Sequence, residues 1–494
     1  MDSVPHTSKT HGQGGFPMNQ TKIISVGIDI GTSTTQIIFS RLTFENTAGF
    51  FRIPHVSIVD KEVTYKSEIY RTPLKSAVWI DGDAVRGIVE REYQRAGFRP
   101  QDVGSGAVII TGESARKENS AVILEKLSTF AGEFVVATAG PDLEAVIAGK
   151  GCGARRYSEE NSCRIVNLDI GGGTTNAALF DCGKTMAKGC LDIGGRQVTV
   201  SPDGEITYIS KSAGEIAAAK EMNLAVGQRG KERELCCLTG AMAEILEEFL
   251  GLRPPGRLLP RIVTKGSSGF HYDKPIHAIS FSGGVADFIY HPEKERFPYG
   301  DIGVLLGESI RNSRLLQAFQ VYEPEETIRA TVIGAGNYTT TVSGSTITYS
   351  KDLFPMKNIP VLKLSLQEQE LCRTGDDQVL RGKIGWFLSQ SDSRQLILAM
   401  EGEQNPSYAS IKRWAKAIYG AMDAALAGEL PLLLVISHDM AKALGQAIEQ
   451  IAGGKREIIA IDSVVVEDGD YVDLGRPVMN GMAVPVIVKT LILG

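Results

Sequence analysis

An α/β fold of two similar lobes around one cleft, with an α/β extension behind them, is what this sequence predicts. Three observations predict it. A short apolar strand ending in aspartate runs into a glycine-threonine turn at residues 23–35 (IISVGIDIGTSTT). The same device returns about 140 residues later, at 165–175 (IVNLDIGGGTT). Two runs of small residues, 142–149 (DLEAVIAG) and 331–337 (TVIGAGN), lie before the second turn and well after it. Small residues let two helices approach closely, which suits a hinge between lobes.

The physics of each turn is simple. Alternating β-branched residues make a buried strand. Glycine lets the backbone turn tightly and approach a phosphate with no Cβ in the way. Backbone N–H groups and threonine hydroxyls can then donate to phosphate oxygens. Aspartate at the strand end can hold magnesium, usually through water, because that ion prefers oxygen ligands and keeps much of its hydration. One such turn reads as readily as a plain hairpin. Two of the same build read as the halves of a clamp on a nucleoside triphosphate.

On this reading Gly31, Thr32, Ser33 and Thr34 contact the phosphates from one lobe. Gly171, Gly172, Gly173, Thr174 and Thr175 contact them from the other. Asp29 and Asp169 face one cleft and hold the hydrated magnesium, one of them orienting the attacking water. Residues 279–286 (ISFSGGVA) form a strand running into Gly283 and Gly284, a bare surface for adenosine. Glu113 and Glu144 are candidates for positioning water, against the plainer reading of a helix cap or a surface carboxylate. The pattern identifies no cation that faces the phosphates.

The elements follow in order. Strands near 23–30 and 35–42 form the first hairpin, and 45–80 holds further strands with an insertion. Residues 83–95 read as a helix with Val85, Ile88 and Val89 on one side. A strand at 107–111 delivers Glu113, and a helix at 121–130 and a strand at 134–138 follow. The second lobe opens near 162 and repeats the pattern, with a mostly helical insertion across about 196–275 that includes 232–250. Past 346 come a helix at 408–427, a strand at 432–436, a helix at 440–451 and a strand at 458–466. This extension has no chemical signature of its own and is assigned to partner contact or structural support. The expected division is therefore 1–17, 18–150, 151–345 and 346–494. Residues 1–17 are polar, lack an apolar stretch of signal-peptide type and read as a disordered tail. Met18 is an alternative start.

Other phosphate signatures are excluded. Gly183-Lys184-Thr185 resembles the end of a P-loop, but Ala178 stands where the first glycine belongs. Gly334-Ala335-Gly336 is followed by Thr339 rather than a third glycine. Composition agrees with an ordinary globular chain: 494 residues, 43% hydrophobic and 22% charged. A formal charge of −6 and a pI near 5.8 give no nucleic-acid footprint. Seven cysteines in a chain this long make no disulfide framework, and their spacing suits no metal. No apolar run reaches membrane-spanning length.

The order of phosphate turn, hinge segment, phosphate turn, adenosine turn and hinge segment resembles the superfamily of actin, sugar kinases and heat-shock chaperone ATPases. Further segments sharpen this: 108–115 (VIITGESA), 134–151 (FVVATAGPDLEAVIAGKG), 328–347 (IRATVIGAGNYTTTVSGSTI), 468–475 (DGDYVDLG) and 484–490 (VPVIVKT). With them, residues 18–494 resemble the reactivating factor of ethanolamine ammonia-lyase. Ser33 stands where many members of that family carry threonine, and the hydroxyl survives.

The resemblance implies an actin-like core that binds ATP and Mg2+. It implies a chaperone whose client is ethanolamine ammonia-lyase, with adenosylcobalamin belonging to the client. In this picture damaged cobalamin leaves the client and intact cofactor enters. It implies a cytoplasmic protein, with association to a bacterial microcompartment, and a homo-oligomer is compatible with it. Competing readings are a reactivase of diol or glycerol dehydratase, a small-molecule kinase of the same fold, and an actin-type filament protein.

Overall fold

The computed structural model describes residues 20–47, 56–76, 79–111, 114, 117–127, 141–267, 270–338, 340–343, 347–349, 353–390, 393–426 and 430–490. The expected tail at 1–17, the strand at 134–138 and Glu113 lie outside them.

The first lobe is built on Gln20–Ile30, whose last six residues are buried. It pairs antiparallel with Thr34–Asn46 and parallel with Val103–Ile110. Val56–Lys66 closes the other side of Thr34–Asn46, where Tyr70–Arg71 also pairs. Helix Gly82–Ala96 covers one face. Its first turn is capped by Asp81, which accepts from the Ala84 N–H at 3.2 Å. It ends at Gly97, whose φ of 76° suits a residue with no Cβ. Val85, Val89 and Tyr93 meet Ile28, Ile37 and Phe39 in that lobe's core.

The second lobe repeats this plan. Arg164–Ile170 pairs antiparallel with Thr175–Asp181 and parallel with Ala278–Ser282. Lys184–Leu191 and Gln320–Val321 lie at the edges. In both sheets the strand order is therefore third, second, first, fourth. The insertion supplies helix Glu232–Phe249, which sends Leu238, Met242 and Leu246 onto Val166, Leu168 and Phe281. It also holds a small hairpin, Val198–Val200 with Ile206–Ile209, and helix Lys211–Ala219. Strands this short carry no readable period, which is why the sequence reads as mostly helical there.

The small-residue segments are the helices Pro141–Gly151 and Ala330–Tyr338, packed face to face. A Cβ on Gly151 would land on the Ala330 carbonyl, and one on Gly334 would land on the Ile147 carbonyl. A Cβ on Gly27, in the first strand, would strike the Val332 carbonyl. The Ser25 hydroxyl donates to the Gly336 carbonyl at 2.5 Å. Lys66 pairs with Glu326, and Gln36 Nε2 donates to the Ile328 carbonyl at 3.3 Å, tying the first lobe to the entry of the second helix.

The extension is one eight-stranded sheet. Met356–Lys363, Ile397–Met400, Leu432–Ile436 and Ile458–Asp462 run parallel in chain order. Helices Leu366–Thr374, Gln378–Gln390, Tyr408–Ala425 and Ala441–Ala452 all pack on one face of it. The sheet takes its first strand, Thr340–Val342, directly after the second hinge helix and pairs it with Pro485–Thr490. Ile487 is buried among Ala107, Ile109, Ile147 and Ala335, so the extension touches both the first lobe and the two small-residue helices. Among the described residues no helix is long and apolar enough to cross a membrane.

Asp462 gives a stability test in this sheet. Burial, with the charge of Asp439, pushes its carboxyl up to about 7. A carboxyl raised on folding contributes stability that is intact below about pH 4 and lost as pH rises through about 7. Asp462→Asn is therefore expected to leave the melting temperature unchanged at pH 4 and to raise it at pH 8. The rise would be about 1 °C for each kcal/mol recovered in a chain of this length. Thermal melts at the two pH values check this, and a lower melting temperature at pH 8 would contradict it.

Candidate functional site

The two glycine turns face each other across a cavity of about 450 Å3 between the lobes. They are closed by the same bond: Gly31 N–H donates to the Thr34 carbonyl at 2.8 Å, and Gly171 N–H to the Thr174 carbonyl at 3.0 Å. Behind the first turn, Ser114 Oγ and Thr72 Oγ1 donate to the Gly31 carbonyl at 3.0 and 2.7 Å. A Cβ on Gly172 would collide with Ser33 Oγ, so the turns touch. Among the described residues that buried Ser33 oxygen has no hydrogen-bond partner. A cradle of bare glycines beside an unsatisfied hydroxyl fits an incoming polar anion.

Asp29 and Asp169 sit at the ends of the two first strands and both line the cavity. Thr111 Oγ1 donates to Asp29 Oδ1 at 2.9 Å. Ser282 Oγ donates to Asp169 Oδ1 at 2.6 Å, and Thr331 Oγ1 to its Oδ2 at 3.4 Å. Burial pushes Asp29 up to about 7, against the Thr111 bond and with a push from Asp169. Burial pushes Asp169 up to about 6, against the Ser282 and Thr331 bonds. Two acids desolvated in one cavity, with the charge of Asp169 felt at Asp29, form an all-oxygen donor set. That set fits a hydrated divalent cation of magnesium type.

A pH dependence follows. Stability from these two carboxyls is intact below about pH 4 and lost as pH rises through about 6 to 7, because burial favours their protonated forms. A cation needs them charged. Mg2+ affinity is therefore expected to rise from pH 5.5 to 7.5 with release of protons, measurable by calorimetry in two buffers of different ionisation enthalpy. Affinity that is flat across that range would contradict it.

The structure gathers the other candidates as follows. Thr32, Ser33, Thr34, Gly171, Gly172, Gly173 and Thr174 line the cavity. Gly283 and Gly284 line it too, and Gly283 has a φ of 84° and no room for a Cβ against the Ile170 carbonyl. Glu144 is buried on the first hinge helix and reaches the same cavity. Thr175 does not. It is fully buried at the start of its strand, and its hydroxyl donates to the Ile193 carbonyl at 2.8 Å.

Sequence reasoning missed Thr111, Ser282 and Thr331, although each lies inside or beside a quoted motif. It also missed Arg71, Arg196, Asp301, Phe288 and Tyr299, which line the cavity from segments with no pattern.

Two lobes of one strand order, each delivering an aspartate and a glycine turn to a cleft over paired hinge helices, define the actin-like ATPase fold. The family model described as Ethanolamine utilisation protein EutA matches residues 21–494, and the chain belongs to that family. It is similar to the ethanolamine ammonia-lyase reactivase EutA of Escherichia coli, at 35% identity over 96% of this chain and 99% of that protein. The protein of that name from Salmonella typhimurium is likewise 35% identical over 96% of this chain and 99% of its own.

Solved structures resemble it more remotely. The Aquifex aeolicus PPX-GPPA enzyme aligns at TM-score 0.39 and 13% identity, over 64% of this chain and 99% of that one. Ethanolamine utilization protein EutJ from Carboxydothermus hydrogenoformans aligns at TM-score 0.31 and 14% identity, over 63% and 89%. These scores are low, and it is the duplicated strand order that defines the fold.

Proposed function

We propose that this chain is an ATP-dependent chaperone that restores inactivated ethanolamine ammonia-lyase by letting damaged cobalamin leave and intact adenosylcobalamin enter. One observation carries the reading: the mirrored aspartate and glycine turns meet across a single cleft that rests on two hinge helices. Membership of a family whose curated relatives are named as reactivases supports the client.

In this reading Thr32, Ser33, Thr34 and the 171–174 turn donate to the phosphates, and Gly283 and Gly284 receive the adenosine. Mg2+, when bound, would neutralise phosphate charge. Asp29 and Asp169 would hold it through its waters, and one of them would orient the attacking water. Glu113 and Glu144 remain the candidates for placing that water. Thr175 supports the second turn from behind.

A clamp whose lobes both grip the terminal phosphate closes on the triphosphate and relaxes after hydrolysis. Moving such an equilibrium from 1:99 to 99:1 takes ~5.5 kcal/mol of differential binding, within reach of several charged contacts. In this reading the extension, which packs on the first lobe and the hinge helices through Ile487, carries that motion to the client. The work is assigned to the cytoplasm, in association with a bacterial microcompartment.

The test is release of corrinoid. Lyase loaded with inactivated cobalamin is incubated with this protein and Mg-ATP, then filtered through a membrane that retains protein. Corrinoid absorbance in the filtrate that depends on ATP supports the reading. Retention of all corrinoid on the lyase would sink it.

A further inference from the structure

The cavity is lined by only two cationic side chains among the described residues, Arg71 and Arg196. They come from opposite lobes. Arg71 follows the third strand of the first lobe, Val56–Lys66, and Arg196 follows the third strand of the second, Lys184–Leu191. The duplication of strand, aspartate and glycine turn therefore extends to an arginine in each lobe.

Both arginines are stitched to their own glycine turn. Arg71 is paired in register with Thr34, and the next residue's N–H donates to the Ser33 carbonyl at 3.0 Å. The preceding residue, Tyr70, is pinned by its hydroxyl to Glu92 at 2.6 Å. Across the cleft, Arg196 N–H donates to the Gly172 carbonyl at 2.7 Å, and Gly195 N–H to the Gly171 carbonyl at 3.0 Å. The backbones are thus fixed at the turns while the side chains reach into the cavity.

Neither guanidinium makes an ion pair or a hydrogen bond among the described residues. Both nevertheless act on one carboxyl. Asp301 is pushed up by burial and pulled down by Arg196 and by Arg71. Its Oδ1 accepts the Gly303 N–H at 2.9 Å. Two planar forks without a hydrogen-bonded partner, based in opposite lobes and lining one cavity, suit a doubly charged oxyanion.

We infer that Arg71 and Arg196, one from each lobe, bind the terminal phosphate of the nucleotide from opposite sides and make the cleft select a triphosphate over a diphosphate. The inference rests on the nucleotide reading above. It adds the residues that sense phosphate number, which the glycine turns cannot supply because their donors serve any phosphate. A diphosphate would leave both forks to water and to Asp301, and only a triphosphate would draw the two lobes together through them.

The experiment compares Mg2+-dependent binding of a non-hydrolysable ATP analogue and of ADP, by calorimetry, in the wild type, Arg71→Gln, Arg196→Gln and Arg71→Lys. Arg71 is exposed and Arg196 half-buried, so the variants are expected to fold, and thermal melts check it. Each glutamine variant is expected to weaken the analogue by about 10- to 100-fold and ADP by less than about threefold. Arg71→Lys keeps charge without the fork and is expected to fall between. An unchanged preference, or equal loss for both nucleotides, would overturn the inference and leave the nucleotide reading standing. Loss of preference in one glutamine variant alone would overturn the two-sided arrangement. A wild type that binds neither nucleotide would overturn the nucleotide reading itself.

Discussion

Asp169→Asn is expected to lower Mg-dependent ATP turnover by about 10- to 100-fold, the usual effect of losing a group that holds a metal through its shell. Shape barely changes, and the Ser282 and Thr331 hydroxyls can still bond the remaining oxygen or reorient. On the proposed function, the lost quantity is charge beside the cation and the phosphates. Stability does not confound the result. Burial already disfavours the carboxylate at this position, so removing it is expected to leave the melting temperature at pH 8 equal or higher. Steady-state turnover and a thermal melt on one preparation check both halves. Wild-type turnover in the variant, or reactivation that keeps full ATP dependence, would remove Asp169 from the role given to it.

The second large effect is expected at the hinge. Gly334→Ala adds one methyl, which meets the Ile147 carbonyl of the facing helix. Alanine gains about 1 kcal/mol in helix propensity over glycine. Overpacking costs about 1–3 kcal/mol, and here it falls at the upper end, because the obstacle is backbone that cannot rotate away. Packing wins, and a net loss of about 2 kcal/mol is expected by chemical denaturation. In the proposed clamp the same contact sets how the lobes move, so ATP-dependent reactivation is expected to fall further than ATP turnover. A denaturation midpoint equal to the wild type would show that the two helices do not need their close approach.

The parts legible in the sequence are those where local pattern and function coincide. The strands at 20–30 and 164–170 are apolar runs ending in aspartate, and the glycine turn follows at once, so strand, turn and cleft residue were read together. The hinge helices were read from small residues alone, and the collisions at Gly151 and Gly334 show why those residues are small. Thr175 was misplaced because two adjacent threonines look alike in sequence. Strand alternation turns the second one inward, against Ile193. Arg71 and Arg196 were invisible because they reach the cleft only through backbone bonds to the glycine turns, made by residues that follow each third strand. The order of the last sheet was equally hidden, since Pro485–Thr490 pairs with Thr340–Val342 far back in the chain.

The central claim is that nucleotide closure of this cleft restores a damaged client. The most direct measurement is recovery of activity by inactivated ethanolamine ammonia-lyase given fresh adenosylcobalamin, Mg2+ and this protein, with ATP present or omitted. The expected result is recovery with ATP, little without it, and little with Asp169→Asn in place of the wild type. No recovery with ATP, while the protein still hydrolyses it, would contradict the claim and move the search to another client.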